Sequence, residues 1–233
     1  MAGLTAVIVA GGTGKRLGSE TPKQYLSIGP RTVLEQTVRM FVESEVVDQF
    51  VLVVHPDFHT YVSGLLHNSF PGLSYSLVPS GSERQDSVAN GIEKALDFDG
   101  NILIHDAARP FIRPEIIREC AAVLGVESAV VVGIKARDTV KKITYDLRVA
   151  LTLDRSEVFL AQTPQGFSFE AVKKVLVKIR QSDGIGTDDV YFAEQLGIPV
   201  RIIEGSSLNF KITTPDDLAL AKVIMENYGS VFA

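Results

Sequence analysis

An α/β fold, with a mostly parallel sheet covered by helices on both faces, is predicted by three features of this 233-residue sequence. Strand-like apolar runs alternate with amphipathic ones, the longer apolar runs are continuous rather than interleaved with polar residues, and Gly or Pro punctuates the changeovers. A strand covered on both faces needs apolar side chains at successive positions, whereas a strand with one wet face alternates. In such a sheet, ligands gather at the carboxyl ends of the strands.

The strand-like runs are Leu4 to Ala10, Phe50 to Val54, Ser74 to Val78, Asn101 to His105, Ala129 to Ile134 and Val200 to Ile203. Between them, Thr32 to Ser44, Gln85 to Leu96, Pro114 to Leu124, Glu170 to Ser182 and Asp188 to Leu196 carry apolar residues at three- and four-residue spacing, which predicts helices. The stretch from Arg137 to Arg155 breaks the alternation. It interleaves Thr, Val, Ile and Leu with polar residues around Tyr145-Asp146-Leu147-Arg148, which predicts a β-hairpin arm, either a plain surface hairpin or one that packs against something. Near the end, Thr214-Pro215-Asp216-Asp217 sets a hydroxyl at N-cap, proline at the first helical position and an acid at N3, so a helix is expected from there to about Asn227.

The composition, 45% hydrophobic and 22% charged, is that of an ordinary globular chain. No apolar run approaches the roughly 18 to 20 residues needed to span a bilayer, so no membrane role is expected. The N-terminus lacks a basic region, long apolar stretch and small-residue cleavage site, and Cys120, the only cysteine, reads as a small core residue; both suit a cytoplasmic location, most naturally bacterial. A net charge of -5 argues against a surface built for nucleic acid. It leaves room for a phosphate ligand wherever a few cations converge on a glycine-rich turn.

Such a turn follows the first strand at Ala10-Gly11-Gly12-Thr13-Gly14-Lys15-Arg16, where missing side chains let backbone N–H groups close around an anion. It reads as a phosphate loop or as a tight turn. It is neither the Walker loop, lacking the Ser or Thr after lysine, nor the dinucleotide fingerprint, since the third glycine falls late at Gly18 and His55 stands where an acid would end the second strand. Arg16 and Lys23, the latter behind Pro22, can reach one triphosphate or lie on the surface. In Pro79 to Ser87, Gly81 and the small hydroxyls suit pyrimidine recognition by backbone groups, although Ser and Gly also make ordinary caps. Asp106 ends a strand at the ligand-bearing edge, where an acid holds Mg²⁺ or a sugar hydroxyl, or pairs with Arg109 to organise the loop. His105 reads as a core or strand-end histidine, and no histidine has a nucleophile partner or metal-type spacing.

Taken in order, Gly12-x-Gly14-x-Arg16, Pro22-Lys23-Gln24, Arg84-x-x-Ser87-Val88, His105-Asp106-Ala107-Ala108-Arg109-Pro110, Asp138-Thr139, Asp154-Arg155, Thr163-Pro164-Gln165, Thr187-Asp188 and Asn209-x-Lys211-x-Thr213 resemble the 2-C-methyl-D-erythritol 4-phosphate cytidylyltransferases. The resemblance implies a Rossmann-like nucleotidyltransferase fold in one domain over 1–233, with the arm at 137–155 interlocking a homodimer. It implies CTP and methylerythritol 4-phosphate as substrates; the phosphate charge calls for Mg²⁺ as cofactor, held mainly by the CTP phosphates with Asp106 as a candidate protein ligand. Carried onto matching positions, Arg16, Lys23, Arg155 and Lys211 are the catalytic cations. Ala10, Gly11, Gly12, Gly14, Gly81 and Ser87 join Arg16 and Lys23 around CTP. Asp106, Arg109, Thr139, Thr163, Thr187 and Lys211 are expected around the acceptor, with Arg155 arriving from the other subunit.

The family often has Ala at the place of Gly11 and glycine at that of Ser80, and Phe210 replaces a more usual aliphatic residue. Ribitol-5-phosphate cytidylyltransferases share much of the motif set, but Ala107-Ala108 and Thr152-Leu153-Asp154-Arg155 look more like the methylerythritol enzymes. A nucleotide sensor without turnover is disfavoured by the retained cations, and an NAD-dependent oxidoreductase by the failed fingerprint.

Overall fold

The structure, a computed structural model, describes residues 3–12, 21–182 and 184–228. Its seven-stranded sheet has the order β3-β2-β1-β4-β8-β5-β9. The strands are β1 (Gly3–Ala10), β2 (Gln49–Val54), β3 (Tyr75–Pro79), β4 (Gly100–Asp106), β5 (Ala129–Lys135), β8 (Phe159–Phe167) and β9 (Val200–Glu204). All neighbouring pairs are parallel except those of β8, which runs antiparallel to both β4 and β5. The remaining strands, β6 (Lys141–Ile143) and β7 (Val149–Thr152), form a separate two-stranded sheet inside the expected arm.

Helices cover both faces because each central strand sends successive side chains to opposite sides. From β1, Leu4, Ala6, Ile8 and Ala10 enter one core with α1 (Val33–Glu43), α2 (His59–Ser69), α4 (Pro114–Val123) and α7 (Pro215–Tyr228). Val7 enters the other with α3 (Arg84–Ala95), α5 (Phe169–Gln181) and α6 (Val190–Gln195). The helices begin where their caps dictate. Thr32 and Glu35 form a capping box on α1, and Thr214 and Asp217 exchange the same pair of bonds at the start of α7. Cys120 is buried in the core, and no helix among the described residues is long and apolar enough to cross a membrane.

All six expected strands and six expected helices are present within a residue or two. Two elements were not anticipated. The helix α2 carries two histidines, a glycine and polar residues, with only Val62 and Leu66 buried, so its apolar stripe is thin. The strand β8 contains Pro164 and buried Gln162, Thr163 and Gln165, a polar sequence that reads as loop although it lies inside the sheet between β4 and β5.

The polar strand is held to β4 by a side-chain relay. His105 is fully buried beside the Phe41 ring; its Nε2 lies 3.1 Å from the Arg109 carbonyl and its Nδ1 3.1 Å from Thr163 Oγ1. A carbonyl only accepts, so Nε2 carries the proton and Nδ1 accepts from the Thr163 hydroxyl. Thr163 Oγ1 in turn accepts the Asp106 N–H at 3.1 Å. Burial pushes the imidazole down to about 4, keeping it neutral as this relay requires.

At the carboxyl edge, β1 and β3 leave very little room between their following loops. Ser80 N–H donates to the Val54 carbonyl at 2.9 Å, and a Cβ built on Gly11 would overlap the Cβ of Ser80. Gly11 and Ser80, two of the positions that depart from the resembled pattern, therefore share one space: the side chain comes from the β3 loop, and the β1 loop supplies the glycine that makes room for it.

These contacts set two expectations for stability. Gly11→Ala is expected to cost about 1–3 kcal/mol by overpacking, and Ser80→Gly in the same chain to restore most of it. Urea denaturation of both single variants and the double tests this, and additive losses would refute it. For His105, the unfolded imidazole binds its proton first as pH falls, because its ordinary value of 6.5 exceeds the folded value near 4. Stability is thus complete above about pH 6.5 and declines toward pH 4, by about 2 kcal/mol at pH 5 from this group. Denaturation at pH 7 and 5 should show a smaller loss in His105→Gln than in the wild type; equal losses would remove His105 from the account.

Candidate active site

The carboxyl ends of β1, β2, β3 and β4 open into a cleft of about 570 Å³. Ala10, Gly11 and Gly12 from β1 and its loop, Lys23, Gly81 and Ser87 line it. Gly14 and Arg16 lie outside the described residues. The start of the glycine loop is fastened by Gln24, which also lines the cleft and whose Nε2 donates to the carbonyls of Ala10 and Gly12 at 2.7 and 2.8 Å. Lys23 Nζ donates to the Ile212 carbonyl at 2.7 Å, which brings the lysine beside the segment that carries Lys211.

The loop after β3 is shaped by its own hydroxyls. Ser87 Oγ accepts the Gly81 N–H at 3.0 Å and donates to the Glu83 carbonyl at 3.1 Å, so Ser87 organises the turn it was expected to serve. Gly81 has no alternative residue, since a Cβ there would overlap that of Asp86. The Asp86 carboxylate accepts from Ser82 Oγ and the Glu83 N–H, and these bonds hold it below its usual range.

A second cleft, of about 330 Å³, lies alongside, lined by Arg109, Thr163 and Thr187 among others. Arg84, Asp106 and Lys211 line both clefts and form their common wall. Here Asp106 is only 6% exposed. Arg84 Nε donates to its Oδ1 at 3.0 Å, Lys211 Nζ sits 2.8 Å from Oδ2, and Arg109 Nε is 3.7 Å from that same oxygen. Burial opposes the charge on Asp106, but the three cations outweigh it and hold the carboxyl far below the ordinary carboxylate range. Of the two sequence readings of Asp106, pairing with arginine is thus realised, with Arg84 closer than the expected Arg109. Arg84 itself is pushed upward, since Asp189 and Asp106 overcome its burial, whereas burial dominates at Arg109 and lowers it.

Thr139 and Arg155 are not brought to either cleft of their own chain. Both are exposed on the arm, and Arg155 Nη1 donates to the Arg137 carbonyl at 2.9 Å. The arm also exposes Ile143, Tyr145, Leu147, Val149 and Leu151, each by more than half.

Sequence reasoning assigned no role to Arg84, Gln165 or Asp189. Arg84 and Gln165 stood inside motifs, but the Arg84–Asp189 pair joins positions separated by 105 residues, beyond the reach of local pattern. Among the described residues, no group of three or more His, Cys, Asp and Glu is placed to hold a metal ion. The donor set fits a divalent cation only if most of its ligands arrive on a phosphate-rich substrate, with Asp106 as the buried carboxylate within the wall.

A family model described as 2-C-methyl-D-erythritol 4-phosphate cytidylyltransferase matches residues 4–227. Relatives bearing that description include one from Syntrophus aciditrophicus, 37% identical over 96% of this chain and 96% of its own. Another, from Syntrophotalea carbinolica, is 38% identical with the same coverage of both chains. Among solved structures, a 4-diphosphocytidyl-2C-methyl-D-erythritol synthase from Anaerococcus prevotii superposes with a TM-score of 0.86 at 27% identity, covering 97% of this chain and 99% of that one. A 2-C-methyl-D-erythritol 4-phosphate cytidylyltransferase from Thermus thermophilus gives 0.78 at 26% identity, covering 96% and 99%. With the match running through nearly the whole chain, from the first strand to the last helix, this chain belongs to the 2-C-methyl-D-erythritol 4-phosphate cytidylyltransferase family.

Proposed function

We propose that this chain transfers the cytidylyl group of CTP to 2-C-methyl-D-erythritol 4-phosphate, forming 4-diphosphocytidyl-2-C-methyl-D-erythritol and pyrophosphate, in the methylerythritol phosphate route to isoprenoids. The observation that carries the reading is the pair of clefts with one cationic wall: a larger one under a glycine loop for the nucleotide, and a smaller one for a phosphorylated polyol.

An oxygen of the acceptor phosphate attacks the α-phosphorus in line; that P–O bond forms while the bond to the departing pyrophosphate breaks. No general base is needed, because a phosphate monoester with a second pKa of about 6 is already largely ionised at pH 7. The obstacle is the meeting of two anions and the charge that grows on the α-phosphoryl and leaving oxygens. Lys23 and Arg16 answer it on the nucleotide side, and Lys211 and Arg155 orient the acceptor phosphate. Ala10, Gly11, Gly12, Gly14 and Gly81 supply backbone groups to CTP, while Ser87 holds the base loop in shape. Asp106, Arg109, Thr139, Thr163 and Thr187 surround the polyol. The Thr163 proton is engaged by His105, so Thr163 takes part as an acceptor for a substrate hydroxyl.

Mg²⁺, when bound, would neutralise triphosphate charge, held mainly by phosphate oxygens with Asp106 contributing a remaining lone pair. Because Thr139 and Arg155 stand on an arm rich in exposed apolar residues, the working unit is a homodimer whose arms complete each other's acceptor clefts. A cytoplasmic setting suits this reaction.

The decisive assay is pyrophosphate release from CTP and Mg²⁺ with methylerythritol 4-phosphate or ribitol 5-phosphate as acceptor. Strong preference for the first is expected, preference for the second would change the acceptor, and silence with both would leave a nucleotide-binding protein. Lys23→Ala should lower turnover by on the order of 10²; near-normal turnover would remove Lys23 from the mechanism. The arm is tested by letting subunits of Lys23→Ala and Arg155→Ala exchange. If Arg155 serves the neighbour, half the dimers are mixed and each holds one intact site, so about a quarter of wild-type activity returns. No recovery would return Arg155 to its own subunit.

A further inference from the structure

The wall between the clefts holds three cations, Arg84, Arg109 and Lys211, and two buried carboxylates, Asp106 and Asp189. Arg84 is the residue that ties them together. Its Nη1 and Nη2 donate to the two oxygens of Asp189 at 2.7 and 2.9 Å, while Nε donates to Asp106 Oδ1 at 3.0 Å. Asp189 is fixed in turn: its N–H and that of Val190 donate to Gln165 Oε1 at 2.8 and 2.9 Å, and Gln165 Nε2 donates to Asp188 Oδ2 at 3.0 Å. A planar guanidinium gripped on its outer edge by a bidentate carboxylate has no rotational freedom left, so its Nε is aimed.

What it aims at is one oxygen of Asp106. The other oxygen meets Lys211 at 2.8 Å, with Arg109 Nε at 3.7 Å. An ammonium has three N–H groups, and a single bond to Oδ2 leaves two for a phosphate. Among the three cations Oδ1 is held by Arg84 alone, so the carboxylate offers Lys211 only Oδ2.

We propose that Arg84, anchored by Asp189, is a positioning residue that restrains Asp106 so that Lys211 presents its ammonium to the acceptor phosphate. The inference rests on the reading of Lys211 as an acceptor-phosphate cation. It predicts a defect concentrated on the acceptor: Arg84→Gln should raise the KM for methylerythritol 4-phosphate about tenfold or more, the scale of one charged hydrogen bond, with the KM for CTP changing far less. Arg84→Lys keeps the charge but reaches only one of the two carboxylates, so it should fall between wild type and Arg84→Gln.

The test is initial-rate kinetics of pyrophosphate release on wild type, Arg84→Gln, Arg84→Lys, Lys211→Gln and the Arg84→Gln/Lys211→Gln double variant, varying each substrate in turn. Because Arg84 acts through Lys211, its substitution should add little to the acceptor defect already caused by Lys211→Gln. A purely structural arginine would lower Tm and give an additive cycle in acceptor KM, which would overturn the proposal. So would an unchanged acceptor KM in both Arg84 variants while Lys211→Gln is defective. Should Arg84→Gln not fold, Arg84→Lys alone against Lys211→Gln and its own double gives the same cycle. Failure of the underlying reading looks different: a wild type silent with this acceptor, or Lys211→Gln with a normal acceptor KM, removes the role of Lys211 and the proposal with it.

Discussion

A single ionised carboxylate, that of Asp106, sets the terms for the functional edge of this molecule. Burying an unpaired charge costs several kcal/mol, so a carboxylate this enclosed is tolerable only with cations in direct contact. Those cations come from separate stretches of chain: Arg84 from the start of α3, Arg109 from the turn after β4, and Lys211 from the segment before α7. Asp106 therefore forces three segments to converge at the end of one central strand. Its backbone N–H adds a fourth, by way of Thr163 on β8. The two clefts lie on either side of this point, with Arg84, Asp106 and Lys211 lining both.

Local pattern was enough to find most of the scaffold and not the strand that lines the second cleft. Continuous apolar runs such as Leu4 to Ala10 report burial on both faces directly, and capping residues such as Thr32 and Thr214 mark helix starts within a residue. In β8 the relevant side chains are buried for a different reason. Gln162 Nε2 donates to the Ser206 carbonyl, Asn209 Nδ2 donates to Gln162 Oε1, and Gln165 holds the start of α6. Polar residues satisfied by partners far away in the chain look solvated in a sequence window, and Pro164 among them reads as a break. The thin stripe on α2 was missed by the opposite route, since too few of its residues are buried to register a period.

The candidate site divides along the same line. The glycines at 11, 12 and 81, which line the larger cleft, were visible from the sequence because glycine after a strand marks where backbone must bend sharply or approach another group closely. Arg84 was visible as part of a motif, yet its partner Asp189 is fixed only by the crossing of β8 between β4 and β5, which no spacing reveals. The arm is the reverse case. Its alternating pattern announced a half-apolar hairpin, and the structure leaves that apolar half exposed on a single chain.

The balance of charge in the wall explains why its carboxylates do not defeat its purpose. Three bare cations facing a cleft would repel one another and, in the absence of substrate, would find water or each other's counter-ions in no fixed arrangement. Adding Asp106 and Asp189 reduces the five groups to one net positive charge and gives every cation a defined position before substrate arrives. The attraction for a dianionic phosphate is weaker than three naked charges would provide. In exchange the donors need no reorganisation when charge develops on the phosphoryl oxygens, which is where preorganised groups have their largest effect on rate. On the proposed reaction, such a wall meets the acceptor phosphate with its donors already in place, so the cost of ordering them falls on folding rather than on binding.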